Sequence, residues 1–288
     1  MKNMIMYYYD FKELVSFRRE GKYFFRSGEN VFSLERITNR AEILDVAQLL
    51  SYYGDTRYYK IKKNIYNSFI TTIQGYEYIL VQYHMFSFNL AEVIIKNTKP
   101  VPGKIPINYS NWIELWSQKL DYYEYQVQHI LGVYPIIDES IYYFLGMGET
   151  AISYLKYNFS FQSKPLYISH RRINSQSYFH PLNVIVDYKA RDVSEYFKYL
   201  FYSNQYLDFD FFDFLQQFQF DYDDYVLIFS RLLFPSFYFD QYDEVVNTKG
   251  GEDVFKEYVK KIVPYEEFLR NIHLVICRFI EIPKVDWL

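Results

Sequence analysis

Cysteine is nearly absent. Cys277 is the only one among 288 residues, so no internal disulfide is possible, and its place in the apolar run HLVICRFI reads as a small buried hydrophobe. Nowhere do about 18 uncharged apolar residues run together, and the opening MKNMIMYYYDFKEL lacks the continuous apolar stretch of a signal peptide. The expectation is a soluble cytoplasmic chain with no membrane partner. A concentrated basic patch is also lacking: the net charge is −4, basic residues are scattered, and the densest cluster, Lys60, Lys62 and Lys63, falls in a strand-like segment. That balance argues against nucleic acid as a partner. The five histidines, His84, His129, His170, His180 and His273, are dispersed, with no HExxH and no cysteine partner, which excludes the usual zinc arrangements. No GxSxG nucleophile elbow occurs. The acidic tract YLDFDFFDFLQQFQFDYDDY (206–225) lacks the spacing and glycine of a calcium loop. Phe211, Phe214, Leu215 and Phe218 instead share one helical face, with the acids on its solvated side.

What is present is abundant apolar and aromatic surface. Half the residues are hydrophobic, 23% are charged and 22% are aromatic, with 34 Tyr and 27 Phe, a composition that excludes disorder. The aromatic excess, alongside plentiful Ile, Asn and Lys, fits an AT-rich genome. The length allows two lobes sharing one cleft.

Residues 15–37, VSFRREGKYFFRSGENVFSLERI, alternate apolar and polar side chains around a turn at Ser27, Gly28 and Glu29, the pattern of successive antiparallel strands. A helix is predicted next, over NRAEILDVAQLLSYYGD (39–55). Asn39 is its N-cap, Glu42 completes a capping box, Ile43, Val46, Ala47 and Leu50 share one face, and Gly54 supplies the stop. Residues 58–85 return to a β-rich pattern with a turn near Gln74 and Gly75, a hairpin. The prolines and glycine of KNTKPVPGKIPINYS (96–110) mark a hinge. Beyond it the helical period takes over. Ile113, Trp116, Leu120, Tyr123, Val127 and Ile130 form one stripe behind an Asn111–Glu114 cap. After the loop GVYPIIDES (132–140) a second helix is predicted over 141–157. Further helices are predicted around 192–204, 209–218, 222–233 and 252–280, with a break near Pro264. The outline is a β-rich lobe over 1–95, a linker over 96–110 and a helical lobe over 111–288.

Five segments of the second half carry a resemblance: WIELWSQKLDYYE (112–124), YYFLGMGETAISYL (142–155), HRRI (170–173), VDYKARDVSEYFK (186–198) and RLLFPSFYFDQYDE (231–244). In this order they resemble the YutH-like proteins of bacterial spore coats, which go with the CotS-related kinase-like proteins and the wider aminoglycoside/choline phosphotransferase superfamily. The N-terminal third shares only the pattern of strands and helix. The resemblance implies an α+β, bilobal, protein-kinase-like fold, with a small antiparallel β lobe carrying one helix and a larger, mainly helical lobe.

In active members of that superfamily a loop reads histidine, any residue, aspartate, then an asparagine five positions later. The aspartate accepts the substrate hydroxyl's proton, the asparagine holds magnesium, and a second aspartate downstream binds the metal that bridges the nucleotide phosphates. Two registers fit the loop SHRRINSQSYFHPLNVIVDYKARD (169–192). With His170 as the motif histidine, Arg172 stands in for the base, Ser177 for the asparagine, and Asp187 is the metal-binding aspartate. With HPLNVIVD (180–187) as the end of the motif, Asn183 is the metal ligand and Tyr178 stands in for the base. Neither register puts a carboxylate where the base belongs. Arginine, with a pKa above about 12, takes no proton at neutral pH, and tyrosine there is a donor. Arg172 also fits a structural arginine or a partner for phosphate or carboxylate. Asp187 equally fits a turn cap before Tyr188. Asp192, with Glu195 three residues on, reads as the N-cap of a helix whose face is Val193, Tyr196, Phe197 and Leu200.

The nucleotide-binding parts are also reduced. FFRSGENVF offers one glycine, Gly28, to cover phosphates, and VFSLERI carries Arg36 where a lysine is expected, with Glu42 or Asp45 as its partner. Arginine forks its donors and does not replace lysine quietly. ATP and Mg²⁺ are the cofactors the resemblance raises. It implies a kinase-fold pseudoenzyme that is a structural or assembly component of the bacterial endospore coat. Such a protein is made in the mother-cell cytoplasm, then joins other coat proteins in the spore coat. The alternative is an active, atypical ATP-dependent phosphotransferase acting on a small molecule or a coat protein. It would use Asp187 with magnesium and a carboxylate from elsewhere, because loss of general-base help costs on the order of 10²–10⁴ in rate and slow transfer survives it.

Overall fold

Strand-forming residues in the first third build one antiparallel sheet. The computed structural model describes residues 1–19, 22–84, 86–102, 107–160 and 162–288. These divide into two units: Met1–Leu90 with Pro102–Asn108 and His170–Val186, and Ala91–Val101 with Tyr109–Ser169 and Asp187–Leu288.

Unit 1 begins with a helix the sequence pattern did not announce, α1 (Lys2–Tyr9), followed by β1 (Val15–Arg19), β2 (Lys22–Ser27), β3 (Asn30–Arg36), α2 (Arg40–Tyr53), β4 (Lys60–Lys62), β5 (Ile70–Ile73) and β6 (Tyr76–Tyr83). The order is β1-β2-β3-β6-β4, with β5 also on β6. Two tight turns set the registers. Ser27 pairs with Asn30 across Gly28 and Glu29, and only Gly28 has positive φ, at 59°, which suits glycine at the first central position of a II′ turn. Ile73 pairs with Tyr76 across Gln74 and Gly75, with φ of 51° and 82°, a I′ turn. Gly28 is therefore a hairpin residue.

The two faces of the sheet follow strand alternation. Phe25, Phe32 and Leu80 pack with Ile5, Tyr9 and Leu14 beneath α1. On the other face Ile79 and Val81 pack with Ile37, Ile43 and Ile70. As predicted, the Asn39 side chain accepts the Glu42 N–H, at 3.2 Å, and Gly54 ends α2 in the left-handed region with φ 65°. Leu49 rather than Leu50 is the buried leucine.

The chain continues with α3 (Leu90–Lys96), α4 (Trp112–Ile130), α5 (Pro135–Asn158), β7 (Tyr167–His170), β8 (Val184–Asp187), α6 (Ala190–Tyr202), α7 (Phe211–Leu215), α8 (Tyr222–Leu233), α9 (Ser236–Thr248), α10 (Phe255–Lys260) and α11 (Ile262–Cys277), and all the helices from α4 on lie in unit 2. The boundaries of the units fall inside β7 and β8. The loop expected in the helical lobe thus lies mainly in unit 1, and the linear division at 95 and 111 becomes a discontinuous one. Of the expected hinge, residues 103–106 lie outside the described residues, as do residues 20, 21 and 85 of the strand-like segments.

Several helix ends differ from expectation for local reasons. Pro135 starts α5 inside the segment read as a loop, because proline at the first helical position loses no hydrogen bond. Pro264 likewise sits in the first turn of α11, so the break precedes it. The buried stripe of α4 begins at Trp112, not Ile113. A Cβ on Gly148 would stand 2.8 Å from Leu120 Cδ2, so this glycine allows α5 to approach α4. Among the described residues, no helix is long and apolar enough to cross a membrane.

Candidate functional site

The loop that follows His170 is held by its own side chains. Asn183 clasps it: its Oδ1 accepts the Arg172 N–H at 3.0 Å, while its Nδ2 donates to Arg172 O at 2.8 Å and to Ser177 O at 3.0 Å. Both amide N–H bonds and one oxygen lone pair are thereby engaged. Asn174 Oδ1 accepts the Gln176 and Ser177 N–H groups at 3.0 and 2.8 Å, an Asx turn. His170 is fully buried. Its Nε2 lies 3.0 Å from the Tyr58 hydroxyl, and its ring centroid is 3.9 Å from that of Tyr178. Tyr178 is 1% exposed, stacked among His170, Phe179 and Phe88. Arg172 turns its Nη1 back onto Arg171 O at 2.6 Å.

The loop is bonded to the sheet and helix of the same unit. Leu182 packs into the apolar cluster of Ile37, Ile43, Ile70, Ile79 and Val81, and Tyr59 N–H donates to Phe179 O at 2.9 Å. Arg171 forms an ion pair with Glu42, which corrects the expected Arg36–Glu42 pair. Arg36 instead lies over the Tyr76 ring, 4.0 Å from its centroid. The reason is alternation in β3: Ser33 and Glu35 share the loop-facing side, and Arg36 takes the other. Glu35 Oε1 is 4.0 Å from His180 Nε2. Burial drives the His180 pKa down to about 4, against the nearby Glu35 carboxylate and with help from Lys22. His180 Nδ1 accepts the Leu182 N–H at 3.2 Å. Sequence spacing missed Glu35, although counting alternate positions from the buried Ser33 would have found it.

Asp187 lies in the interior of unit 2, with no exposed surface. The Trp112 indole N–H sits 3.0 Å from both of its oxygens, Arg191 Nη1 donates to Oδ2 at 2.7 Å, and Tyr188 N–H donates to Oδ1 at 2.7 Å. Burial, partly offset by Arg191 and Arg231, holds this carboxyl above the usual range. The network continues inward. Arg231 pairs with the buried Glu195 at 2.8 Å and lies 5.1 Å from the centroid of Trp112. Lys198 donates to Phe234 O at 2.8 Å and to Ser236 Oγ at 3.0 Å. Trp112, Arg191, Arg231 and Lys198 were not singled out from the sequence. Only Arg191, one helical turn after Asp187, left a local signal. Asp192 is not an N-cap: α6 starts at Ala190 behind Lys189, which places Asp192 in the first turn, buried. Asp45 and Arg36 take no part in either cluster, and Ser177 joins the loop cluster through its backbone, accepting from Asn183 Nδ2 and donating its N–H to Asn174 Oδ1.

Within each unit these side chains bond to neighbouring groups of the same chain. A phosphotransferase site needs a proton acceptor, a lysine for the phosphates and carboxylate or amide oxygens open to magnesium. The loop-facing β3 side chain here is a carboxylate, the loop carries Arg172 and Tyr178, and the oxygens of Asp187 already accept three donors.

Residues 2–272 match the family described as spore coat putative kinase YutH. The chain belongs to that family. Among YutH relatives, the endospore coat-associated protein YutH of Bacillus subtilis (strain 168) is 26% identical over 225 residues, 66% of this chain and 64% of that protein. The match thus spans somewhat less than two thirds of the relative's length. The AMP-bound complex of spectinomycin phosphotransferase superposes with a TM-score of 0.60 at 10% identity, covering 91% of this chain and 94% of that one. The aminoglycoside phosphotransferase from Alicyclobacillus acidocaldarius gives 0.54 at 12% identity, covering 94% and 95%. This YutH family member therefore has the protein-kinase-like fold of aminoglycoside phosphotransferases, as the resemblance implied.

Proposed function

We propose that this chain is a kinase-fold pseudoenzyme that serves as a structural or assembly component of the bacterial endospore coat. The observation that carries this is the clasped loop: where a general base belongs, Arg172 is tied back by Asn183 and Tyr178 is 1% exposed against His170. An arginine cannot accept the proton, and a buried tyrosine cannot reach a substrate. The Asp187 carboxylate is committed to Trp112 and Arg191. Membership of a family named for the spore coat, and the likeness to an endospore coat-associated protein, support the location. In this reading the chain is made in the mother-cell cytoplasm and reaches the coat by binding other coat proteins.

Two measurements test it. Thermal-shift titration of the purified chain with millimolar Mg·ATP is expected to leave the melting temperature unchanged. A ligand at 100 times its Kd would add about 2.7 kcal/mol, so a saturable, magnesium-dependent shift, or ATP turnover near an ordinary kcat of about 1–100 s⁻¹, overturns the pseudoenzyme. A fluorescent fusion in sporulating cells is expected to ring the forespore and remain with the coat fraction. Diffuse mother-cell signal throughout sporulation overturns the coat placement.

A further inference from the structure

Four elements of unit 2 meet without closing. The first turn of α4, the last turn of α5, the residue after β8 and the middle of α8 leave a cavity of about 180 Å³ between them. Trp112, Leu155, Phe159, Tyr188 and Leu227 form most of its wall. Trp112, Leu155, Phe159 and Leu227 are 7% exposed or less, whereas Ser110 and Asn111, which also line it, reach solvent. The cavity is thus a pocket with a buried apolar part and a polar part open to water. Three of the wall residues are aromatic and set at angles to one another. The Tyr188 ring centroid lies 5.7 Å from that of Trp112 at 79° and 5.9 Å from that of Phe159 at 62°. Rings so placed offer both faces and edges, the arrangement in which a further ring finds favourable contacts.

Protein interiors hold few voids larger than a water molecule, so a void of this size against buried apolar side chains points to an occupant. Water suits the buried part badly. A water needs about two to four polar partners, and the Trp112 N–H, the polar group on that wall, is already committed to Asp187 at 3.0 Å. A dry apolar cavity of about 150 Å³ is enough to take up benzene, so this one has room for a single ring with a short substituent. We propose that the pocket binds a compact, uncharged aromatic molecule, its ring against Trp112, Phe159 and Tyr188 and its one polar group towards Ser110 and Asn111. A charged guest would lose its hydration among these side chains without a counter-charge to replace it. The guest packs on the indole that fastens Asp187, so its binding stabilises the core of unit 2. The inference stands whether or not the chain turns over ATP or joins a coat.

The test adds benzyl alcohol to the full chain. A saturable rise in melting temperature and a saturable change in tryptophan emission are expected, and glycerol at the same concentration, lacking a ring, should give neither. Ile113 also lines the pocket and is half-buried, so Ile113→Phe fills it from the solvent side and should weaken both responses at least tenfold. Leu155→Ala widens the buried part and should admit naphthylmethanol, which the parent rejects. If Ile113→Phe does not melt cooperatively, Leu155→Ala decides alone. The proposal is overturned if the parent gives no response, as expected of a water-filled pocket, or a response that never saturates. It is equally overturned if binding is undiminished in Ile113→Phe, or if Leu155→Ala takes up naphthylmethanol no better than the parent.

Discussion

The indole N–H of Trp112 points between the two carboxylate oxygens of Asp187, 3.0 Å from each. Trp112 opens α4 and Asp187 ends β8, so the residue expected to carry a metal is a fastening point for a helix 75 positions away. Arg191 completes the fastening from α6 at 2.7 Å.

Asp187→Ala should therefore destabilise the fold strongly. Removing one partner of a buried, hydrogen-bonded ion pair costs about 3–5 kcal/mol. Trp112→Phe, which keeps the ring and loses the donor, should cost about 1–3 kcal/mol. Urea unfolding measures both. An Asp187→Ala chain within 1 kcal/mol of the parent, on the order of a surface pair, would show that the carboxylate is not structural.

Stability should fall on acidification between pH 6.5 and about 4 through His180. Its folded pKa of about 4 lies below the ordinary 6.5, so the unfolded chain binds more protons in that window and stability declines as pH drops. The contribution is fully present above pH 6.5 and amounts to roughly 3 kcal/mol at 1.36 kcal/mol per pH unit. Denaturant midpoints at pH 7, 5 and 4 should show this slope in the parent and a flatter one in His180→Gln. Equal slopes would remove His180 as the cause.

The glycines of FLGMGE should respond in opposite directions to alanine. Gly148→Ala pushes a methyl against Leu120 at 2.8 Å, an overpacking that costs about 1–3 kcal/mol, less if the leucine end swings away. Gly146 has nothing within 4 Å of a Cβ and sits mid-helix, where alanine gains about 0.8–1 kcal/mol. Thermal melts of the two variants test the pair, and destabilisation by Gly146→Ala would contradict it.

Restoring a base should not restore catalysis. Arg172→Asp places a carboxylate at one of the two expected positions, yet the Asn183 clasp holds the backbone there and Asp187 remains occupied. ATP hydrolysis by this variant is expected to stay at background. Turnover rising by the roughly 10²-fold that a working base supplies would show that base loss alone silenced the site.

The segments that could be read correctly from the sequence are those whose cause is local. The Asn39 cap of α2, the left-handed Gly54, the Gln74–Gly75 turn and the span of α8 at 222–233 each depend on residues within a turn or two. Helices α1 and α9 carry no side-chain N-cap bond, so their starts leave no local capping signal in the sequence, and Pro135 fits a loop as well as the start of α5 that it forms. The sequence shows no carboxylate at the base position in either register of the loop 169–192. Its contacts were not visible: Arg171 meets Glu42 across 129 positions, and His170 meets Tyr58 across 112.

The order of residues alone thus determined that neither position the two registers offer for a base carries a carboxylate, since the identities of Arg172 and Tyr178 are covalent facts no folding can alter. It also determined the turns and caps, which short-range backbone hydrogen bonds dictate. Folding decided where Glu42, Asp187 and Trp112 spend their polar groups. Burial makes an unpaired charge costly, and the partner that satisfies it is whichever donor the packed helices bring near.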